Sequence, residues 1–279
     1  MRKTAWTVLV CLAFAAPAYA QDTNGSTQQV APAPAEAPPT ELSKRYTVTV
    51  GADLPTAYMF RGIHQESTGV IVQPPIDLGV DVGRGVSLNV GHWYSVHSGP
   101  TGNFYEADYY GSVTFTAGRL KPGLLYTSYT SPNARFGTVH ELAAFVGIDD
   151  SGSRFPLSPK VTLAYELDGQ ADAGTAQGTY LELAIRPGVK LIDGAKPLTL
   201  SIPARLGMSV KDYYEGPDGD DTFGFFSTGL IAGVPLTTGK VTFEVHGGVD
   251  VCWLGSNLKF LNANDSVKPI GIFGVTVTY

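Results

Sequence analysis

The chain has little cysteine, little charge and no long apolar run beyond its first twenty residues, and each shortage excludes a class. Only two of the 279 residues are cysteines, Cys11 and Cys252. Cys11 falls in the N-terminal leader, so one thiol remains; it cannot close an internal disulfide, and no Cys/His spacing suits a metal. No cofactor is expected. Charged residues make up 16% of the chain, and acids outnumber bases 25 to 19. Without Arg2 and Lys3 of the leader, 17 bases face 25 acids, a net charge of about −8, which is the wrong sign for nucleic acid. Beyond Ser43 no apolar stretch is long enough for a membrane-spanning helix, and no segment has convincing amphipathic helical spacing.

The N-terminus carries a secretory signature. Arg2 and Lys3 precede the apolar Ala5 to Ala16, and Ala18-Tyr19-Ala20 is a small-x-small cleavage site, so residues 1–20 are a signal peptide excluded from the fold. Residues 21–42 are low complexity and end in alternating Ala and Pro. Such a stretch has no packing face and favours extended conformations; it reads as a disordered periplasmic tether. Residues 43–279 form the folded part.

What that part has in abundance is alternation. The chain ends with Phe273, Val275, Val277 and Tyr279 on one parity and Gly274, Thr276 and Thr278 on the other. Strand side chains alternate faces with period 2, so this strand has an apolar, aromatic-tipped side and a small, polar side. The same dyad recurs at 46–53, 71–83, 86–97, 104–118, 138–149, 160–168, 181–190, 198–211, 224–236 and 241–253. Residues 123–131 are strand-like as well, with the outward parity left open. Tight links near 83–85, 118–122, 150–153, 193–196 and 237–239 alternate with longer loops near 61–70, 97–104, 131–137, 169–178, 212–222 and 254–268. The expectation is an all-β fold: an antiparallel transmembrane β-barrel of about 12 strands, with short periplasmic turns and longer extracellular loops. Twelve strands about 4.8 Å apart and tilted near 40° give a backbone radius of roughly 12 Å.

A soluble β-barrel is also dyad-patterned, but its outward set is the charged one. Here the aliphatic set carries virtually no charge. A charge facing mid-membrane lipid costs about 2–4 kcal/mol, so the charged set must face a wet lumen. The lumen candidates are Asp77, Asp81, Glu106, Asp108, Glu182, Arg186, Arg205, Lys211, Glu244, His246 and Asp250, with Arg61 at the mouth. If the strands bearing Arg186 and Arg205 are neighbours, the two form a basic patch facing the acids, which would set a transverse field across the pore; cross-lumen pairing of the same charges is the other outcome. Tyr58, Phe60, Tyr94, Tyr105, Tyr109, Tyr213, Tyr214, Phe223 and Trp253 fall near loop ends and Tyr46 and Tyr279 near the opposite rim, as interfacial rings do. The acidic loop Asp212 to Asp221 lacks the ligand spacing of a calcium site and reads as a solvated surface loop.

The segment Tyr58-Met59-Phe60-Arg61-Gly62-Ile63-His64-Gln65 resembles the Tyr-x-Phe-Arg-Gly signature near the start of the TorF-type porins. The resemblance implies an outer-membrane channel and no particular solute. Partners would be outer-membrane lipids and lipopolysaccharide, small solutes, and the barrel assembly machinery, which reads the final strand ending at Tyr279. A barrel enzyme acting on lipids is the alternative. It needs a Ser–His pair on the outer, lipid-facing wall; none of the five histidines is followed two residues later by serine, which leaves a cross-strand pair, such as His140 or His92 with a serine elsewhere, as the open route. A non-conducting structural or adhesive barrel is the third reading. The acid excess of the inward set predicts cation preference. A reversal potential measured in a salt gradient checks this, and anion preference would reject it.

Overall fold

The computed structural model describes residues 45–279 apart from 172–173, 195–196 and 218. The signal peptide and the Ala/Pro tether expected from the sequence lie outside the described residues. The wall is built from β1 (Tyr46–Pro55), β5 (Pro75–Gly83), β6 (Val86–His97), β7 (Glu106–Phe115), β8 (Leu120–Thr130), β9 (Val139–Ile148) and β10 (Lys160–Asp168). It continues through β11 (Thr179–Ile185) with β12 (Gly188–Ile192), β13 (Leu198–Ser201) with β14 (Ala204–Lys211), β17 (Phe223–Thr238), β18 (Val241–Leu254) and β19 (Val267–Thr278). Each stave pairs antiparallel with its sequence neighbour, and β19 returns to β1 in a register running from Thr49↔Thr278 to Pro55↔Ile272. Twelve staves therefore close into a barrel. In hydrocarbon every backbone amide must be paired within the protein, and closure leaves no open edge.

The alternation sets the two faces. Leu78, Val90, Leu124, Leu163, Leu230 and Phe273 point outward, and each is at least 40% exposed. Their neighbours Asp77, Thr162, Glu182 and Thr276 are buried inside. Residues 123–131, left open by the sequence, resolve with Leu124 and Tyr126 outward and Leu125, Thr127 and Tyr129 inward. A soluble monomer rarely exposes a contiguous apolar patch above a few hundred Å²; this belt encircles the whole wall, and lipid is the solvent that suits it.

Two staves expected to be continuous are broken. Arg186-Pro187 separates β11 from β12, and Ile202-Pro203 separates β13 from β14. Proline has no N–H to give the ladder. The gap is bridged locally: the Ile202 amide donates to the Pro187 carbonyl at 2.9 Å, and the Gly229 amide to the Pro203 carbonyl at 3.0 Å. The link after β9 also differs from the expected four-residue turn. It spans 149–159, where Pro156 and Pro159 again stop the ladder, while the Leu157 carbonyl still accepts the Arg186 amide at 2.7 Å.

The long loops share one end. The first contains the hairpin β2 (Tyr58–Phe60) and β3 (Ile63–Glu66), then β4 (Ile71–Val72), which pairs with β6. The fifth holds β15 (Glu215–Gly216) and β16 (Gly219–Asp220), and the last a short helix, α1 (Ser256–Leu261). Leu163 sits mid-stave on the outer face, so Leu163→Arg is expected to destabilise the barrel by about 2–4 kcal/mol. Denaturant-titrated folding into lipid vesicles measures this; a loss below about 1 kcal/mol would contradict the lipid-facing assignment.

Candidate functional site

The lumen is filled at its long-loop end by the β2–β3 hairpin. At its tip Arg61 and Gly62 have φ of 44° and 83°. Two successive positive φ values are what a two-residue hairpin needs to match strand twist, and glycine adopts them without strain. Arginine does not do so readily, so its surroundings must hold it there. The turn drives the hairpin inward: Met59 and Arg61 are both 0% exposed.

Arg61 is held on every side. Its guanidinium donates to both oxygens of Glu141 on β9, at 2.6 and 2.9 Å, and to the Tyr213 hydroxyl at 2.7 Å. The group lies 4.0 Å over the Tyr180 ring, and the Tyr214 hydroxyl donates to the Arg61 carbonyl at 3.0 Å. Tyr129 adds a donor to Glu141 at 3.2 Å. A bidentate, charge-assisted pair stacked on a ring is the strongest form such a contact takes. Removing one partner of a buried pair costs about 3–5 kcal/mol because the other charge is stranded.

The rest of the hairpin reaches the other walls. The Tyr58 hydroxyl donates to Glu106 of β7 at 2.7 Å, and its ring packs on Trp93 of β6. Phe60 meets Tyr129 of β8 edge-on. Asn262, just past α1, donates to the Gly62 carbonyl and accepts from the His64 amide, both at 2.8 Å. A Cβ on Gly62 would lie 2.5 Å from Leu258 Cδ1 and 3.2 Å from Phe225 Cδ1, so glycine's missing side chain lets α1 and β17 close over the tip.

The base of the hairpin carries a directed hydrogen-bond chain. Glu66 accepts the Thr101 hydroxyl at 2.8 Å. Having given its only hydrogen away, that hydroxyl must accept from His97 Nδ1, 2.6 Å distant. His97 Nε2 is then bare and takes the Ser95 hydroxyl at 2.7 Å. Burial alone would push the Glu66 carboxyl up. The amide and hydroxyl of Thr101 and the amides of Thr68 and Ser67 outweigh it and hold the group at about 2. Ser95-x-His97 is the order opposite to the one sought in the sequence. The pair faces the lumen, with Ser95 0% and His97 1% exposed, not the lipid-facing wall that a barrel lipase would use.

Glu106, Asp108, Asp77, Glu182, Arg205, Glu244, His246 and Asp250 are buried within the barrel, and Arg186 is half-buried lower in the lumen. Tyr110 donates to Asp77 and Tyr180 to Glu182, each at 2.7 Å; His246 meets Asp53 at 2.7 Å. Arg205 is engaged with Asp250 at 3.5 Å, so it does not form one open patch with Arg186. Two candidates lie at the ends instead. Asp81 is exposed and accepts the Gly83 amide at the short turn. Lys211 is exposed beside Asp212, past the point where the wall encloses the lumen. Arg61 lies at the long-loop end of the lumen, fully buried against Glu141 near the start of β9 and Tyr213 of the fifth long loop.

Five of the rings expected at the membrane interface, Tyr58, Phe60, Tyr105, Tyr213 and Tyr214, belong to the lumen filling. Tyr109, Phe223, Trp253, Tyr46 and Tyr279 do face outward. Within the acidic loop, Asp220 accepts the Ser209 hydroxyl and the Asp212 and Tyr214 amides, which fixes the tyrosine pair against Arg61. The sequence signals for the filling were the Arg61-Gly62 pair and the Ser95-x-His97 spacing.

No family model matches the chain, and no curated protein matches it. Among solved structures, the NanC porin is similar with a TM-score of 0.48 at 11% identity, covering 83% of this chain and 98% of that one. The translocator domain of autotransporter NalP from Neisseria meningitidis gives 0.41 at 13%, over 84% and 87%. The CymD monoaromatic hydrocarbon channel gives 0.40 at 12%, over 84% and 88%.

The Glu66 carboxylate is held below its ordinary range, so its stabilisation is complete above about pH 4.3 and is lost as the pH falls through about 2. Amide protection factors at Ser67, Thr68 and Thr101 should therefore persist at pH 4 and fall toward pH 2, whereas Glu66→Gln should show weaker protection at all pH. Loss of wild-type protection already between pH 7 and 5 would contradict the assignment.

Proposed function

We propose that this protein is an outer-membrane, porin-like channel for small polar or charged solutes, of the TorF type, closed at its long-loop end by the β2–β3 hairpin. In this reading the long loops face outward, the short turns face the periplasm, and the final strand ending at Tyr279 is the part the assembly machinery engages. The observation that carries the reading is the nature of the filling. The hairpin tip is joined to Glu141 of the wall by an ion pair and to the fifth long loop by tyrosine hydroxyls, while Tyr58, Met59 and Phe60 behind it pack in the apolar core; the hairpin is not a continuous strand of the barrel. Polar contacts of this kind can be exchanged for water when a segment moves, whereas apolar core contacts cannot be replaced without a large free-energy loss. Below the hairpin the lumen is lined by Thr47, Ser87, Asn89, Ser112, Lys121 and Lys190 on inward positions that are only partly buried, which suits a wet vestibule opening at the short-turn end.

The completeness of the filling favours a second reading, a barrel that never conducts. The two separate in a planar bilayer. With Arg61→Ala the hairpin loses its anchor, and Glu141 is left as a buried, unpaired charge. The channel reading expects wild-type protein to show rare, small openings and the variant to conduct several-fold more. Equal, negligible current from both proteins would sink it.

A further inference from the structure

Among the described residues, the twelve staves turn one serine and two histidines outward, and they set that serine against a histidine. Ser128 of β8 has the parity of the outward Leu124 and Tyr126, and His140 of β9 that of the outward Leu142. The ladder places the two directly opposite each other. On its other side Ser128 faces Tyr109 of β7, and Tyr109 faces His92 of β6, so a row of hydrogen-bonding groups crosses four neighbouring staves. The row lies at the long-loop rim, since β8 ends at Thr130 and β9 begins at Val139. That is headgroup depth, where the ester bonds of membrane lipids lie. A hydrogen-bonding group turned to hydrocarbon without a partner is costly, and neither the Ser128 hydroxyl nor His140 Nε2 has a partner among the described residues. Ser95 and His97, by contrast, are sealed in the lumen filling with their chain of bonds complete.

We propose that Ser128 and His140 form a hydrolytic site on the outer wall for the acyl esters of membrane lipids, with Tyr126 positioning the imidazole. Directly opposed strand residues have Cβ atoms about 4.5–5.5 Å apart, a gap that an imidazole ring spans. The Tyr126 hydroxyl lies 2.8 Å from His140 Nδ1, and the two rings are stacked with 12° between their planes. With Nδ1–H donated to that hydroxyl, Nε2 is bare and is the nitrogen left for Ser128. Ser128 Oγ bonds to the ester carbonyl carbon as its proton passes to Nε2. The carbon–oxygen bond to the lipid alcohol then breaks, and the alcohol leaves with that proton. Water next gives a proton to Nε2 and its oxygen to the acyl carbon. The bond to Oγ breaks, Oγ recovers the proton and a fatty acid departs. The site depends on which way the wall faces and not on the channel reading: a barrel that passes no current can still hydrolyse.

The test uses the full barrel in detergent, exposed to an alkyl fluorophosphonate, which labels a serine that a neighbouring base activates. Mass spectrometry should place the adduct on Ser128 in the wild type and find none in His140→Ala. In mixed micelles of phosphatidylethanolamine or of lipopolysaccharide the wild type should release fatty acid, and the micelle that supports release identifies the lipid. Ser128→Ala should release none, and His140→Ala should be slower by about 10²–10⁴-fold. Tyr126→Phe keeps the ring and loses the hydroxyl, so it should lower kcat and leave KM unchanged. All three side chains lie on the outside of the wall, and gel mobility before and after heating shows that each variant is folded. The wild-type labelling needs no variant at all. An unlabelled Ser128 overturns the proposal whatever current the barrel passes, and so does release that survives in Ser128→Ala.

Discussion

Hydrocarbon tolerates neither an unpaired amide nor an unpaired charge, and the architecture follows from meeting both demands at once. Closure of β19 on β1 meets the first. The two-residue alternation meets the second, sending Leu78, Leu163 and Leu230 outward and Asp77, Glu182 and Glu244 inward. Where the rule is broken, at Pro187 and Pro203, the two carbonyls beside the breaks are taken up by amides of the next staves.

Collecting the charges inside creates a new problem, since a ring of acids in a narrow tube repels itself. The β2–β3 hairpin relieves it. Arg61 brings a positive charge to Glu141, and Tyr58 brings a donor to Glu106, beside which Asp108 stands. Lower down, Arg205 does the same for Asp250 and His246 for Asp53. Fold stability and lumen filling are thus one electrostatic arrangement. At the strained turn Arg61 makes a bidentate contact with Glu141 and a hydrogen bond to Tyr213, and these contacts hold its backbone at positive φ.

Much of this was legible in the sequence, for a physical reason. A wall between lipid and water sorts residues by polarity at every step, so strand number, direction and sidedness are written locally. The hairpin was not legible, because rings near loop ends look the same whether they meet headgroups or fold inward. Tyr213 and Tyr214 turn inward because Ser209 Oγ accepts the Tyr213 amide, Asp220 accepts the Tyr214 amide, and Arg61, some 150 residues away, offers a cation and a carbonyl. The serine–histidine chain escaped for a narrower reason: Ser95 precedes His97, and the links to Thr101 and Glu66 depend on loops whose course no period encodes. Asp81 and Lys211 had the right parity but the wrong height, and parity says nothing about where a stave leaves the enclosed lumen.

The seam between the first and last staves has a kinetic meaning. Thr49 and Thr278 meet across 229 residues of chain, so no partial cylinder exists along the way: until Val267–Thr278 arrives, β1 presents a bare edge. Contacts this distant in sequence form slowly, and an exposed edge invites pairing with another chain. The edge of β1 must therefore be kept from pairing with another chain until the final strand is available to cover it.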